Sequence, residues 1–147
     1  MESVQKQVFS DYEHIIIDNS PKRIETLITH NQQNYKRLIY ISNKYNLGIA
    51  DSRNQGLKLA TGKYICFLDH DDVFLSKNHL KKLSDFLETH PDYGIIASLI
   101  ISINEQGKEL HKNLGRISDT EIRNHSLQAC QFTPCSMMIR KEAILEH

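Results

Sequence analysis

The sequence predicts an α/β domain built on a mostly parallel central sheet flanked by helices, and three observations carry that prediction. Short apolar runs alternate with stretches of helical spacing. Two of those runs, Ile15-Ile16-Ile17 and Tyr64-Ile65-Cys66-Phe67-Leu68, end in aspartates, where such sheets bind ligands. The length, 147 residues, suits a single domain over 1–147 with a sizeable core.

Taken in order, Met1 opens onto a half-helix over Glu2 to Gln7. His14 to Ile17 is β-branched and reads as a buried strand ending at Asp18. Pro21 starts a helix with Ile24, Leu27 and Ile28 at helical spacing. Arg37 to Ser42 is strand-like, and Asn46-Leu47-Gly48 forms a turn in which Gly48 permits a positive φ. Ile49 to Ala60 is amphipathic and helical, with Gly62 as its C-terminal stop. Lys63 to Leu68 is the next strand. Leu80, Leu83, Phe86 and Leu87 then mark the apolar stripe of a helix that stops before Pro91. Tyr93 to Ile103 reads as one long strand, and Glu105-Gln106-Gly107 turns it into a hairpin returning through Glu109 to His111. A short helix over Asp119 to Leu127, a strand over Phe132 to Ile139 and a helix from Lys141 complete the chain.

Composition narrows the function classes. Eighteen basic residues balance eighteen acidic ones, so no global field draws the chain to nucleic acid or an anionic membrane. No apolar stretch reaches the length of a membrane span, and Met1 begins no signal peptide. The expected location is the cytoplasm, at most the inner face of the membrane. Three cysteines, an odd and low number, argue against a disulfide scaffold. Cys66 reads as a core residue, and His125, Cys130 and Cys135 fit no common zinc spacing. The final Leu145-Glu146-His147 resembles a vector-derived junction into a polyhistidine tag.

The sharpest chemical signal is Asp69-His70-Asp71-Asp72, three carboxylates in four residues at the end of a strand. Carboxylates this close repel each other and raise the cost of ionisation. A hard divalent cation such as Mg²⁺ or Mn²⁺ would relieve that cost, using one or two carboxylates plus phosphate oxygens and water. Read alone, the cluster fits that site or a solvated loop in which Asp72 or Ser76 caps the next helix. Asp18-Asn19-Ser20-Pro21 likewise fits a turn and helix cap. Arg53 fits a solvated charge or a pair with Asp51 or another acid.

Three ordered blocks tip the balance: Asp11 to Ser20 (DYEHIIIDNS), Asn46 to Gly56 (NLGIADSRNQG) and Ala60 to Asp72 (ATGKYICFLDHDD). Together with Pro134 to Ala143 (PCSMMIRKEA), they resemble the nucleotide-sugar half of family-2 inverting glycosyltransferases, which have the GT-A fold. The resemblance covers nearly the whole chain. It implies that Asp18 contacts the uracil or nucleoside of the donor. It implies that Asp69 and Asp71 are the outer residues of an Asp-X-Asp motif, Asp69 near the ribose and Asp71 on the metal that bridges the diphosphate, with Asp72 beside them. Arg53 and Asn54 match an Arg-Asn pair on the helix flanking the donor site.

The implied partners are a nucleoside-diphosphate sugar, UDP-linked, and a glycan or lipid-linked acceptor, with Mg²⁺ or Mn²⁺ as cofactor. Such a cation stabilises the charge left on the departing diphosphate, while the anomeric carbon passes through an oxocarbenium-like state. Two departures are expected to matter. The family begins with a strand that this chain lacks, and its general base and acceptor region lie beyond the point where this chain stops. The fragment is therefore expected to be inactive, and no catalytic base is assigned. A non-catalytic nucleotide-binding module of the same fold, or less well a Mg²⁺-dependent phosphotransfer domain, are the alternatives.

Overall fold

A computed structural model describes residues 1–21, 28, 37–113, 118–129 and 131–145. After a short helix α1 (Glu2–Gln5), the isoleucine run forms strand β1 (His14–Asp18). It pairs in parallel with β2 (Leu38–Ser42), with Asp18 opposite Ser42. The expected helix between them lies outside the described residues except at Ile28, which is helical and buried. Gly48 adopts φ +77° and donates its N–H to Asn46 Oδ1 at 2.8 Å, a turn that any side chain would strain. That turn starts helix α2 (Gly48–Leu59), which packs on β1. Strand β3 (Tyr64–Cys66), helix α3 (His79–Thr89) and strand β4 (Ile95–Ala97) follow. The hairpin β5 (Ile100–Ile103) and β6 (Glu109–Asn113) turns at Gly107, φ +75°. Helix α4 (Asp119–His125), with a Ser118/Glu121 capping box, precedes a 3₁₀ turn at Pro134–Ser136. Strand β7 (Met137–Arg140) and helix α5 (Lys141–Leu145) end the chain.

Leu80, Leu83 and Leu87 of α3 meet Met138 of β7 in the main core, with Tyr12, Phe86 and Ile96 packed around them. The apolar stripe read from the sequence is thus the buried face. No left-handed residue ends α3. Instead the guanidinium of Arg140, itself buried, donates to the carbonyls of Leu87, Tyr93 (2.8 Å) and His90 (3.3 Å). A fork of donors from another strand supplies what a C-terminal glycine supplies elsewhere.

Several expectations are corrected. Only β1·β2 is parallel among the described pairings. In the second sheet, ordered β3-β7-β4, β7 runs antiparallel to both neighbours, and β5-β6 is a separate antiparallel pair. Alternation of strand and helix implied crossovers throughout, but the hairpin and α4 return β7 in the opposite direction. The run from Tyr93 to Ile103 breaks at Ser98, whose N–H donates to Ser136 carbonyl at 2.9 Å, because its two halves pair with different partners. Pro134 opens a 3₁₀ turn, so the last strand is confined to Met137–Arg140. Gly62 is not a left-handed stop; α2 ends at extended Ala60, and the Gly62 N–H donates to Glu13 Oε1 at 3.0 Å. Neither Asp72 nor Ser76 caps α3 at its N-cap residue, Asn78; the Ser76 hydroxyl accepts the Asn78 N–H one step earlier. Finally, the isoleucines of β1 are half-buried rather than buried.

His14 begins β1, and burial pushes its imidazole down to about 4. Burial also lowers His79, which stacks on Phe74 with centroids 4.5 Å apart. Burial disfavours the protonated form of both, while the unfolded chain takes up protons below about pH 6.5. Stability is therefore full above pH 6.5 and falls as the pH drops toward 4, by on the order of 1–3 kcal/mol for His14. Urea titrations of the chain and of His14→Gln across that window should show a shallower pH slope in the variant. Identical slopes would contradict the assignment.

Candidate functional site

The carboxyl ends of β1 and β2 and the segment after β3 converge on the first two turns of α2. Asp18, the last residue of β1, is 7% exposed, low for a carboxylate. Its Oδ2 accepts the Tyr40 hydroxyl at 2.6 Å, and its Oδ1 accepts the Ser20 N–H at 2.8 Å and the Ser20 hydroxyl at 2.5 Å. Both oxygens are thus fixed in direction. Beside it, Asn43 donates to Asn19 Oδ1 and Gln55 Oε1, each at 2.9 Å. Asn19 donates in turn to the Ser52 hydroxyl at 2.6 Å. This amide network locks the ends of both strands onto α2.

The acidic cluster is a tight turn, closed by the Asp72 N–H on the Asp69 carbonyl at 3.1 Å. The turn gives each of its three carboxylates a different surrounding. Asp69 faces α2, where Arg53 Nη2 reaches its two oxygens at 3.0 and 3.3 Å, the guanidinium also lying 5.5 Å from the Phe67 ring. Asp72 faces the 3₁₀ turn, where it meets the Cys135 thiol; burial, then Asp72 and Asp69, push that thiol up to about 12. His70 and Asp71 occupy the corners of the turn, with side chains 97% and 76% exposed. Cys66 is half-buried, its thiol pushed up to about 12 by burial and then by Cys135, and it donates to the Met137 carbonyl at 3.1 Å.

The structure thus gathers Asp18, Arg53 and Asp69 along one edge, with Asp72 close behind. It leaves Asp71 facing outward and Asn54 exposed, with no hydrogen bond to the acids among the described residues. Among the described residues, no group of three or more His, Cys, Asp or Glu side chains is placed to hold a metal ion. Asp71 nevertheless offers a hard, accessible carboxylate, which fits a cation that completes its shell with phosphate and water. The sequence did not flag Tyr40, and it weighed Cys135 only as a zinc ligand, whereas the turn read over Asp18-Asn19-Ser20-Pro21 is present in the Ser20 N–H and hydroxyl on Asp18 Oδ1. The alternation of Leu38, Tyr40 and Ser42 against Ile39 and Ile41 was the available signal for Tyr40.

A family model described as "Glycosyl transferase family 2" matches residues 1–147. The chain belongs to glycosyl transferase family 2. An uncharacterized glycosyltransferase of Methanocaldococcus jannaschii is 38% identical over 98% of this chain and 50% of its own length. The minor teichoic acid biosynthesis protein GgaB of Bacillus subtilis is 31% identical over 98% of this chain and 16% of its own. The chain thus spans half or less of these relatives. Among solved structures, S. aureus TarS 1-349 in complex with UDP superposes with a TM-score of 0.73 at 19% identity, covering 99% of this chain and 43% of that one. This likeness establishes a mixed α/β fold of the GT-A type for this family-2 domain. Among its described residues, no helix is long and apolar enough to cross a membrane.

Proposed function

We propose that this chain is the donor-binding part of a metal-dependent glycosyltransferase. It would take a sugar from a nucleoside-diphosphate sugar, UDP-linked, for a hydroxyl of a glycan or lipid-linked acceptor. The observation that carries this reading is the shared edge. A fixed carboxylate, Asp18, and an Arg53–Asp69 pair are held at adjacent strand ends by one helix. Two kinds of relative agree with it. One is TarS, solved with UDP, and the other is an Escherichia coli UDP-Glc:alpha-D-GlcNAc-diphosphoundecaprenol beta-1,3-glucosyltransferase, 37% identical over 60% of this chain.

In this reading Asp18 accepts a ring N–H of the base, a task suited to a carboxylate of fixed direction. Asp69 lies near the ribose, and Arg53 and Asn54 flank the donor. Asp71, supported by Asp69 and Asp72, would hold Mg²⁺ or Mn²⁺, which supplies Lewis-acid stabilisation of the departing diphosphate. None of these residues is assigned as the general base for transfer.

The test is calorimetric titration of UDP in Mn²⁺ and in EDTA. UDP should bind more tightly with Mn²⁺, and Asp71→Asn should erase that gain. The loss should be on the order of 1–3 kcal/mol, roughly 5- to 150-fold in Kd. His70→Ala should leave the metal effect intact. Equal UDP affinity in both buffers, or equal behaviour of the two variants, would reduce the acidic run to a solvated turn.

A further inference from the structure

The chain leaves the acidic turn at Asp72 and reaches α3 at His79 without forming helix or strand in between. Little of that segment is fixed by its own burial. Val73 and Leu75 are 58% and 77% exposed, and of its apolar side chains only Phe74 packs against the core. A side chain 69 positions from Ser76 supplies the rest. Gln7, just after α1, is 8% exposed, low for an amide. Its Nε2 donates to the Ser76 carbonyl at 2.9 Å and to the Ser3 carbonyl at 3.1 Å, and its Oε1 accepts the Leu80 N–H at 3.1 Å. Beside it, the Val8 N–H donates to the Lys77 carbonyl at 2.9 Å.

These bonds do two jobs. Asn78 heads α3 without a side-chain cap, and Gln7 Oε1 takes one of the first-turn N–H groups in its stead. The bond to Ser76 instead clamps the exit of the acidic turn. At the entry, Arg53 holds Asp69, and in the middle Asp72 meets the Cys135 thiol. Asp71 has no such hold. Its side chain is 76% exposed, so the backbone on either side decides where its carboxylate sits.

We propose that Gln7 is a positioning residue for the donor site: it fixes the exit of the acidic turn so that Asp71 stands ready for the cation, while touching neither cation nor donor. The inference rests on the reading of Asp71 as the metal carboxylate. A turn left loose at its exit has to be ordered at the moment of binding, and that entropy cost falls on the metal-linked part of donor affinity.

Gln7→Glu separates the two jobs. At about pH 8 its ionised carboxylate still accepts the Leu80 N–H, at a helix end that favours negative charge, but it has no donor for Ser76. In metal-free buffer the Asp72 amide should exchange about tenfold faster by NMR, with the amides of Leu83 and Leu87 unchanged. By calorimetry, the gain in UDP affinity from Mn²⁺ should shrink about fivefold, with affinity in EDTA unchanged. Added to Asp71→Asn, the same change should cost no further UDP affinity, because the group it positions is already gone. Equal losses in EDTA and Mn²⁺ would reduce Gln7 to a stability role and overturn the proposal, as would Asp72 exchange equal to the parent's. A parent chain with no Mn²⁺ gain would overturn the metal reading itself, and Asp72 exchange would then decide the clamp alone. Should Gln7→Glu not fold, Gln7→Met, which also lacks a donor, is read by the same measures.

Discussion

Replacing Arg140 with methionine should be the most damaging single change to the fold, costing about 2–4 kcal/mol of stability. The guanidinium donates to the carbonyls of Leu87, His90 and Tyr93 and, at 3.3 Å, to the Tyr64 hydroxyl. Methionine fills much of the volume but donates nothing. The Leu87 carbonyl at the end of α3 and the Tyr93 carbonyl would then lose their Arg140 donors, while the His90 carbonyl keeps the Tyr93 N–H and the backbone N–H of position 140 still donates to the Gly94 carbonyl. For a domain of this size the loss corresponds to a fall in Tm of about 10 °C. Arg140→Lys should recover only part of it, since an ammonium cannot reproduce the planar fork. A methionine variant within 2 °C of the parent by differential scanning calorimetry, roughly the shift of half a kilocalorie, would mean that water satisfies those carbonyls.

The second large effect is expected at Asp18. Asp18→Asn keeps the size of the side chain but replaces one acceptor oxygen with a donor, so it can no longer accept from both the base and its own fold. UDP affinity should fall about 10- to 100-fold, in EDTA as well as in Mn²⁺, on the scale of a lost charge-assisted hydrogen bond. Tyr40→Phe is the informative companion. It removes the 2.6 Å donor that orients Oδ2 while leaving the carboxylate in place, so its affinity loss should be smaller. If Asp18→Asn lowers the Tm and spares UDP binding, Asp18 is a structural knot between β1 and β2.

The sequence made some of this site legible, for identifiable reasons. Asp18 and Asp69 stood out because each follows an apolar strand, and strand ends are where an α/β layer places its ligands. A pairing of Arg53 with some acid was among the readings of the helix; that the acid is Asp69 required knowing that α2 crosses from β1 to the turn after β3. Tyr40 was silent, because a tyrosine in a strand reads as packing until its hydroxyl is seen on a carboxylate. The contact of Cys135 with Asp72 was silent too, because it depends on the Pro134 turn folding against β3. The direction of β7 could not be read at all. Local periodicity reports that a segment is extended, and says nothing about which edge it joins after the β5-β6 hairpin and α4.

The Arg53–Asp69 contact also sets an electrical condition on whatever enters the site. Three formal carboxylates against one guanidinium leave a surplus of two negative charges in the acidic turn, the amount that one divalent cation neutralises. Because the pair is partly open to water, it holds Arg53 by no more than about 1 kcal/mol. An arriving polyanion can therefore draw the guanidinium onto itself at little cost, which frees the Asp69 carboxylate. The resting ion pair behaves as a counterion on loan, keeping the acids folded side by side until a stronger claimant arrives.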